Sequence, residues 1–335
     1  MSFINIIRSL EFSSNGILQS NLLEGIFIGS DGDFASQKNF LALTQKEVLG
    51  IASKFTEAPE LMEQPTLEKA VEIAGKLNDY DGILAIGSGS VFDVAKHAAA
   101  LANKPLIGFC TALSMNGYLS STASLYENGL KKSFIGKLPQ KLYFDLEVLK
   151  NAPTDLTKAG FGDSLARISA QNDCKLSSKI KGTPYPLELF NFRLPSEEFL
   201  IQNYKLLEAK DDEFFLQLLE NILFSGIAMH LHGSSFPASG GEHAMAHFAE
   251  SKFPSVAKFL HGLQISAFTC EMLDIQKEFP EHSPETLEYN LKKIFRELKM
   301  PSCFAELGLT SENFELIKIE AKNLRERYGF LNLIK

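Results

Sequence analysis

Cysteine is scarce in this chain of 335 residues: Cys110, Cys174, Cys270 and Cys303 stand far apart, with no CxxC pair among them. That spacing signals neither a structural zinc site nor a disulfide framework, and leaves the four as small hydrophobes. Positive charge is also in deficit. Lys and Arg number 33 against 41 Asp and Glu, a formal net charge of −8, which argues against nucleic acid or an anionic membrane surface as the main partner. No uninterrupted apolar run reaches the roughly 20 residues of a membrane span, and the opening "MSFINIIRSLEFSSNG" lacks the basic region, apolar core and cleavage site of a signal peptide. The expectation is a soluble, cytoplasmic protein acting on a small molecule.

What is present is a hydrophobic content of 45%, enough at this length for a large core and two domains. Up to about residue 150, short apolar runs alternate with amphipathic stretches. "GIFIG" (25–29), "GILAIG" (82–87), "PLIGFC" (105–110) and "KLYFDL" (141–146) read as strands, and "TLEKAVEIAGKLN" (66–78) and "VFDVAKHAAALAN" (91–103) as helices. This alternation predicts a parallel sheet with helices on its faces. Beyond "NAPTDL" (151–156) the pattern turns helical, with Ser196, Ser283 and Ser311 as expected N-caps. The stretch 179–195 reads as an excursion between helices. The boundary falls near Pro153, giving an α/β domain over 1–152 and an all-α domain over 153–335.

"DGILAIGSGSVFDVAKHAAA" (81–100) is a strand, a glycine turn and a helix, the arrangement that points backbone N–H groups and a helix dipole at an anion. Gly87 and Gly89 allow close approach to a pyrophosphate, and Ser88 and Ser90 add hydroxyls. Asp93 and Lys96 share one face of the helix; from spacing alone they read as a helix-start acid and a solvated lysine.

Histidine is the other sparse residue, with seven in the chain. His243 and His247 in "ASGGEHAMAHFAE" are spaced to share a helix face, as in a metal site, yet the rest of a zincin motif is missing. His261 in "FLHG" reads by itself as a core histidine, and Asp163 in "AGFGDSLAR" as an N-cap. Together these residues offer a carboxylate and two imidazoles from three helices, a set that suits a catalytic divalent metal. His230 and His232 compete as donors; His97 and His282 read as surface residues.

Five motifs in order, "AIGSGSVFDVAKHAA", "CTALSMNGYLSSTASLY", "LEVLKNAPTDLTKAGFGDSLAR", "GSSFPASGGEHAMAHFAE" and "FLHG", resemble those of the sn-glycerol-1-phosphate dehydrogenases. That family shares a superfamily with iron-containing alcohol dehydrogenases, glycerol dehydrogenase and 3-dehydroquinate synthase. The resemblance covers residue 80 to the C-terminus. It implies a dehydroquinate synthase-like fold, with an N-terminal dinucleotide-binding domain, a helical metal- and substrate-binding domain, and relatives that are commonly homo-oligomers. It implies NAD or NADP as cofactor, with one divalent metal, zinc first and iron or nickel also fitting, held by Asp163, His243 and His261. The turn Gly87, Ser88, Gly89 and Ser90 would hold the pyrophosphate, with Asp93 and Lys96 matching the "DVAK" that follows it. Thr111, Ser114, Ser120, Thr122 and Tyr126 would line the nicotinamide side, and His247 would face substrate or a proton-relay water. The implied reaction is reduction of dihydroxyacetone phosphate to sn-glycerol 1-phosphate.

Two positions depart from that pattern. Asn116 stands where the family's loop reads "SMDG" or "SHDG"; asparagine can hydrogen-bond a substrate hydroxyl but cannot take a proton. Phe236 stands where relatives read "GSSRPASG", and an aromatic ring does not replace a guanidinium. These departures keep three alternatives in view: a glycerol or alcohol dehydrogenase with an unphosphorylated substrate, a sugar-phosphate cyclase of the dehydroquinate-synthase kind, and a non-catalytic nucleotide-binding descendant.

Overall fold

The computed structural model describes residues 25–28, 39–185, 194–282, 290–324 and 326–334. They form two compact units. The first gathers the described residues up to Thr111 with Ser121–Leu125 and Phe134–Asp145; the second comprises Ala112–Ser120, Tyr126–Ser133 and the described residues from Leu146 onward.

The first unit is built on a parallel sheet. Its strands are β1 (Gly25–Ile28), β2 (Phe40–Thr44), β3 (Glu60–Leu61), β4 (Gly82–Gly87), β5 (Leu106–Cys110) and β8 (Lys141–Phe144), in the order β1-β8-β5-β4-β2-β3. The register sets Gly87 opposite Cys110 at the sheet's carboxyl edge. Every residue of β4 and β5 is buried, which is why these central strands read as unbroken apolar runs rather than alternating ones. Helix α1 (Leu67–Lys76) is capped by Thr66, whose hydroxyl accepts the Lys69 N–H. Helix α2 (Gly89–Leu101) begins directly after β4. The short strands β2 and β3 were not among the sequence expectations. A hairpin, β6 (Thr122–Glu127) with β7 (Leu130–Ile135), forms a separate two-stranded sheet.

The second unit is mainly helical. Its longer helices are α3 (Thr154–Leu165), α4 (Arg167–Lys181), α5 (Leu194–Gln202), α6 (Asp212–His232), α7 (Gly241–Lys252) and α8 (His261–Lys277), followed by α9 (Leu291–Glu297) and α10 (Ser311–Ala321). An α/β unit and a helical unit are therefore the observed classes. Helix α6 has the length and composition to cross a membrane, but Phe214, Phe215, Leu218, Leu219, Ile222 and Leu223 are buried within this unit. A second core packs Met245, Ala246 and Ala249 of α7 against Ile265, Phe268 and Met272 of α8 and Phe314 and Ile317 of α10.

Local expectations fail at several points. Ser196 is not an N-cap: α5 starts two residues earlier with Pro195 in its first turn, where a missing N–H costs nothing. The Ser196 hydroxyl is buried and accepts from Asn221 Nδ2. At α10 the cap is Thr310 rather than Ser311, in a capping box with Asn313 that satisfies two backbone N–H groups reciprocally. Asp163 lies inside α3, two residues from its end, so it is no N-cap either. Ser283 lies outside the described residues, as does the centre of the 179–195 stretch. The cysteines behave as small hydrophobes, three buried and Cys303 partly so.

Candidate metal centre and glycine turn

Asp163, His243 and His261 come from three helices, α3, α7 and α8, all within the second unit. One donor atom from each lies within 4.8 Å of the other two, and among the described residues no other set of three such donors meets so closely. Glycine explains how the helices approach. A Cβ on Gly262 would stand 1.8 Å from the Ala159 carbonyl oxygen, so only glycine lets α8 begin against α3 and bring His261 to Asp163. Gly160 does the same for the loop carrying Asn116, since its Cβ would lie 1.9 Å from the Leu113 carbonyl oxygen.

Asp163 is 2% exposed. Its Oδ2 accepts the Asn116 backbone N–H at 2.8 Å, and its Oδ1 lies 3.2 Å from His243 Nε2. The Asn116 side chain turns to the same residue, its Nδ2 donating to the Asp163 carbonyl at 3.4 Å. On the far side of the His243 ring, Nδ1–H donates to Glu242 Oε1 at 2.9 Å. That bond keeps a proton on Nδ1 and turns Nε2 toward Asp163, so that Nε2 can serve as a metal ligand once its own proton is displaced. A carboxylate oxygen and imidazole nitrogens at this spacing, with the tautomer held from behind, fit a divalent metal.

Glu242 is fully buried and accepts from Ser169 Oγ and the Gly240 N–H, both at 2.6 Å. Burial pushes its carboxyl up, but the His243 ring, Ser169 and Gly240 outweigh burial and hold it below its ordinary value. For His243 burial favours the neutral ring, while Asp163 and Glu242 favour the charged one and prevail, raising its pKa. Sequence reasoning gave Glu242 no role, although its place immediately before His243 was a signal. Asp173 was missed altogether. Buried on α4, it accepts the Gly241 N–H at 2.6 Å and the Phe330 N–H at 2.8 Å; burial and the nearby Glu242 raise its pKa to about 7.

His247 stands beside the trio. Its ring stacks on His261 with centroids 5.3 Å apart, while His243 is 5.4 Å from His261. Tyr126 is in the second unit, where its hydroxyl donates to Glu250 Oε1 at 2.8 Å; burial and that carboxylate push the phenol well up. Ser114 and Ser120 also belong to this unit. His230 and His232 end α6 outside the trio, and His232 Nδ1 pairs with Ser234 Oγ at 2.9 Å. His97 is no surface residue: it is buried, its Nδ1 lies 2.8 Å from the Ile135 carbonyl, and its ring packs on Phe134. Phe236 is buried too, against Cys174 and Tyr185.

Gly87, Ser88, Gly89, Ser90, Asp93, Lys96, Thr111 and Thr122 belong to the first unit. Ser88 is the N-cap of α2 and its side chain makes no capping bond. A Cβ on Gly87 would meet Val91 at 2.5 Å, so the turn folds tightly onto its own helix. The Thr111 N–H donates to the Gly87 carbonyl at 2.9 Å, setting Thr111 beside the turn. The solvated reading of Lys96 is overturned. Lys96 is 1% exposed, 3.0 Å from Asp93 Oδ1, and its Nζ donates to the Thr122 carbonyl at 2.6 Å. Helical spacing put the pair on one face, but that face lies inside the unit, where the Thr122 carbonyl of β6 is a second acceptor for the ammonium.

Comparison with known proteins agrees with this architecture. Residues 32–153 match the family model for iron-containing alcohol dehydrogenases. A glycerol dehydrogenase from Schizosaccharomyces pombe superposes with a TM-score of 0.72 at 18% identity, over 92% of this chain and 84% of that one. A probable glycerol dehydrogenase from Sinorhizobium meliloti gives 0.70 at 14% identity, over 92% and 91%. These likenesses define the class, an iron-containing alcohol dehydrogenase fold. In sequence, the glycerol-1-phosphate dehydrogenase [NAD(P)+] of Pyrococcus abyssi is 32% identical over 78% of this chain and 73% of its own length. That of Archaeoglobus fulgidus is 28% identical over 89% and 84%. The chain belongs to the glycerol-1-phosphate dehydrogenase family, within the iron-containing alcohol dehydrogenases. It is a metal-dependent, NAD(P)-linked oxidoreductase that acts on a small molecule.

Proposed function

We propose that the protein reduces dihydroxyacetone phosphate to sn-glycerol 1-phosphate at the expense of NADH or NADPH, with Asp163, His243 and His261 holding one divalent metal, zinc first. The convergence of those three donors within 4.8 Å carries the reading. Residues 1–152 are assigned to the nucleotide and 153–335 to metal and substrate. When bound, the metal supplies Lewis acidity toward the substrate's carbonyl oxygen, and the nicotinamide supplies the hydride.

The chain's own residues do the rest. Glu242 keeps His243 in the tautomer that presents Nε2, and the Asn116 N–H holds the Asp163 carboxylate in place. Gly87, Ser88, Gly89 and Ser90 present the start of α2 to the pyrophosphate. Asp93 and Lys96 act from beneath: the pair anchors the first turns of α2 to Thr122. On the family resemblance, Thr111, Ser114, Ser120, Thr122 and Tyr126 are assigned to the nicotinamide. His247, stacked on His261, is assigned to the substrate's proton. Asn116 offers a substrate hydroxyl a hydrogen bond but no base.

The test is elemental analysis of the purified protein, paired with oxidation of NADH and NADPH on dihydroxyacetone phosphate and on dihydroxyacetone, for the native chain and His243→Ala. Turnover on the phosphate that vanishes in the variant is the expected result. Bound metal without oxidation on either ketone overturns the substrate assignment. A homo-oligomer in the cytoplasm belongs to the same reading on the strength of the family; light scattering measures the oligomer.

A further inference from the structure

Helix α7 carries Glu242, His243 and His247 within its first seven residues, so whatever holds its start also holds them. Two groups do so, and both lead to the C-terminal segment after α10. Asp173 accepts the Gly241 N–H with Oδ2 and the Phe330 N–H with Oδ1, tying the helix start to the tail through one buried carboxylate. Three residues before Phe330, Arg327 reaches the turn that leads into α7. Its Nη1 donates to the Ser239 carbonyl at 2.8 Å and its Nη2 to Ser235 Oγ at 3.0 Å. Its guanidinium carbon lies 5.3 Å from the centre of the Phe236 ring.

The fit is close. A Cβ on Gly329 would stand 2.7 Å from Asp173 Oδ1, and one on Gly240 would stand 2.6 Å from Asp173 Oδ2, so tail and turn press on the carboxylate from two sides. A small cleft of about 30 Å³ remains among Asp173, Phe236, Gly240, Arg327 and Tyr328. A planar guanidinium with two donors spent on one turn fixes that turn's orientation as well as its distance. His243 follows the turn by four residues, and metal sites tolerate displacements of only about 0.2 Å in ligand distance.

We infer that Arg327 is a positioning residue for the His243 metal ligand, acting from the C-terminal segment as a clasp on the 235–239 turn. The inference rests on the proposed metal role of His243. It goes beyond that reading by assigning a function to a residue remote from the donors in the chain.

The experiment measures zinc affinity by chelator competition, and the visible spectrum of the cobalt(II)-substituted protein, for wild type, Arg327→Ala, Arg327→Lys, Ser235→Ala and Lys322→Ala. Circular dichroism and thermal unfolding accompany each. Arg327→Ala is expected to weaken zinc binding by about 10- to 100-fold, the usual range for removing a group that orients a ligand, and to shift the cobalt bands. Arg327→Lys should recover part of the loss. Ser235→Ala, which removes one acceptor and leaves the guanidinium in place, should give a smaller loss in a folded chain and serves if Arg327→Ala does not fold. Lys322→Ala lines the same cleft and should match wild type. A folded Arg327→Ala or Ser235→Ala series with wild-type affinity and spectrum overturns the clasp, as does an equal loss in Lys322→Ala. Failure of the wild type to bind zinc or cobalt at all would instead sink the metal reading, and the clasp with it.

Discussion

Asp163 Oδ2 accepts the Asn116 backbone N–H at 2.8 Å while the Asn116 side chain donates to the Asp163 carbonyl. The loop residue that departs from the family pattern is thus bound twice to a metal-ligand candidate. Its amide is a donor at that point, and a carboxylate there would face an oxygen. Asn116→Asp is therefore expected to lower the stability of the metal-free protein by about 1–3 kcal/mol, the cost of losing a buried donor and leaving an acceptor unpaired. Urea unfolding of the two chains in chelator checks it, and equal midpoints would show that the contact carries no weight.

Gly262 admits no side chain. With a Cβ placed 1.8 Å from the Ala159 carbonyl oxygen, Gly262→Ala must push α8 away from α3. We expect a loss of about 1–3 kcal/mol from overpacking and a drop in bound metal below one equivalent, because His261 moves with α8. Metal stoichiometry and unfolding on the same preparation read both.

Lys96 and Asp93 form a buried pair whose ammonium also binds the Thr122 carbonyl. Lys96→Met leaves both the carboxylate and the carbonyl without that donor, and costs about 3–5 kcal/mol. The double variant Asp93→Asn with Lys96→Met should recover part of the loss. Thermal unfolding of the metal-free proteins distinguishes them, and KM for NAD(P)H reports the change at the glycine turn.

Asp173 makes stability depend on pH in an unusual direction. Its folded pKa is raised from 3.8 to about 7 by burial and by Glu242, so between about pH 4 and pH 7 the folded state holds a proton that the unfolded state has released. The unfolding free energy then falls as pH rises through that window, by at most about 1.4 kcal/mol per pH unit. Comparing metal-free wild type with Asp173→Asn across the window isolates this slope. A difference that stays constant with pH would mean Asp173 is ionised throughout.

Much of this architecture is legible in the sequence. The run "GILAIGSGSVFDVAKHAAA" is read correctly as strand, turn and helix because its signals are local: a buried apolar run, two glycines, then helical spacing. Strand β2 escaped because five residues of "FLALT" are too short to separate from a helix by period, and β3 has only two. The cap at Ser311 fell one residue late, at Thr310's neighbour, for a similar reason. Which hydroxyl receives the N–H depends on backbone angles that neighbouring Ser, Thr and Pro residues all permit.

Residue types and order alone determined the class of chemistry available: two imidazoles and a carboxylate on separate helices, and a glycine turn between strand and helix. Burial was decided elsewhere. Lys96 and His97 lie on a helix whose outward face, judged by spacing, was free to be solvated; the packing of Thr122, Phe134 and Ile135 around it buried both. Likewise nothing near Arg327 or Asp173 in the chain points to α7. Helical period and turn chemistry act over a few residues. The meeting of Asp173 with Gly241 and Phe330, and of Arg327 with Ser235, spans 68 to 157 residues of sequence, and only close packing of the helices brings such distant groups within hydrogen-bonding reach.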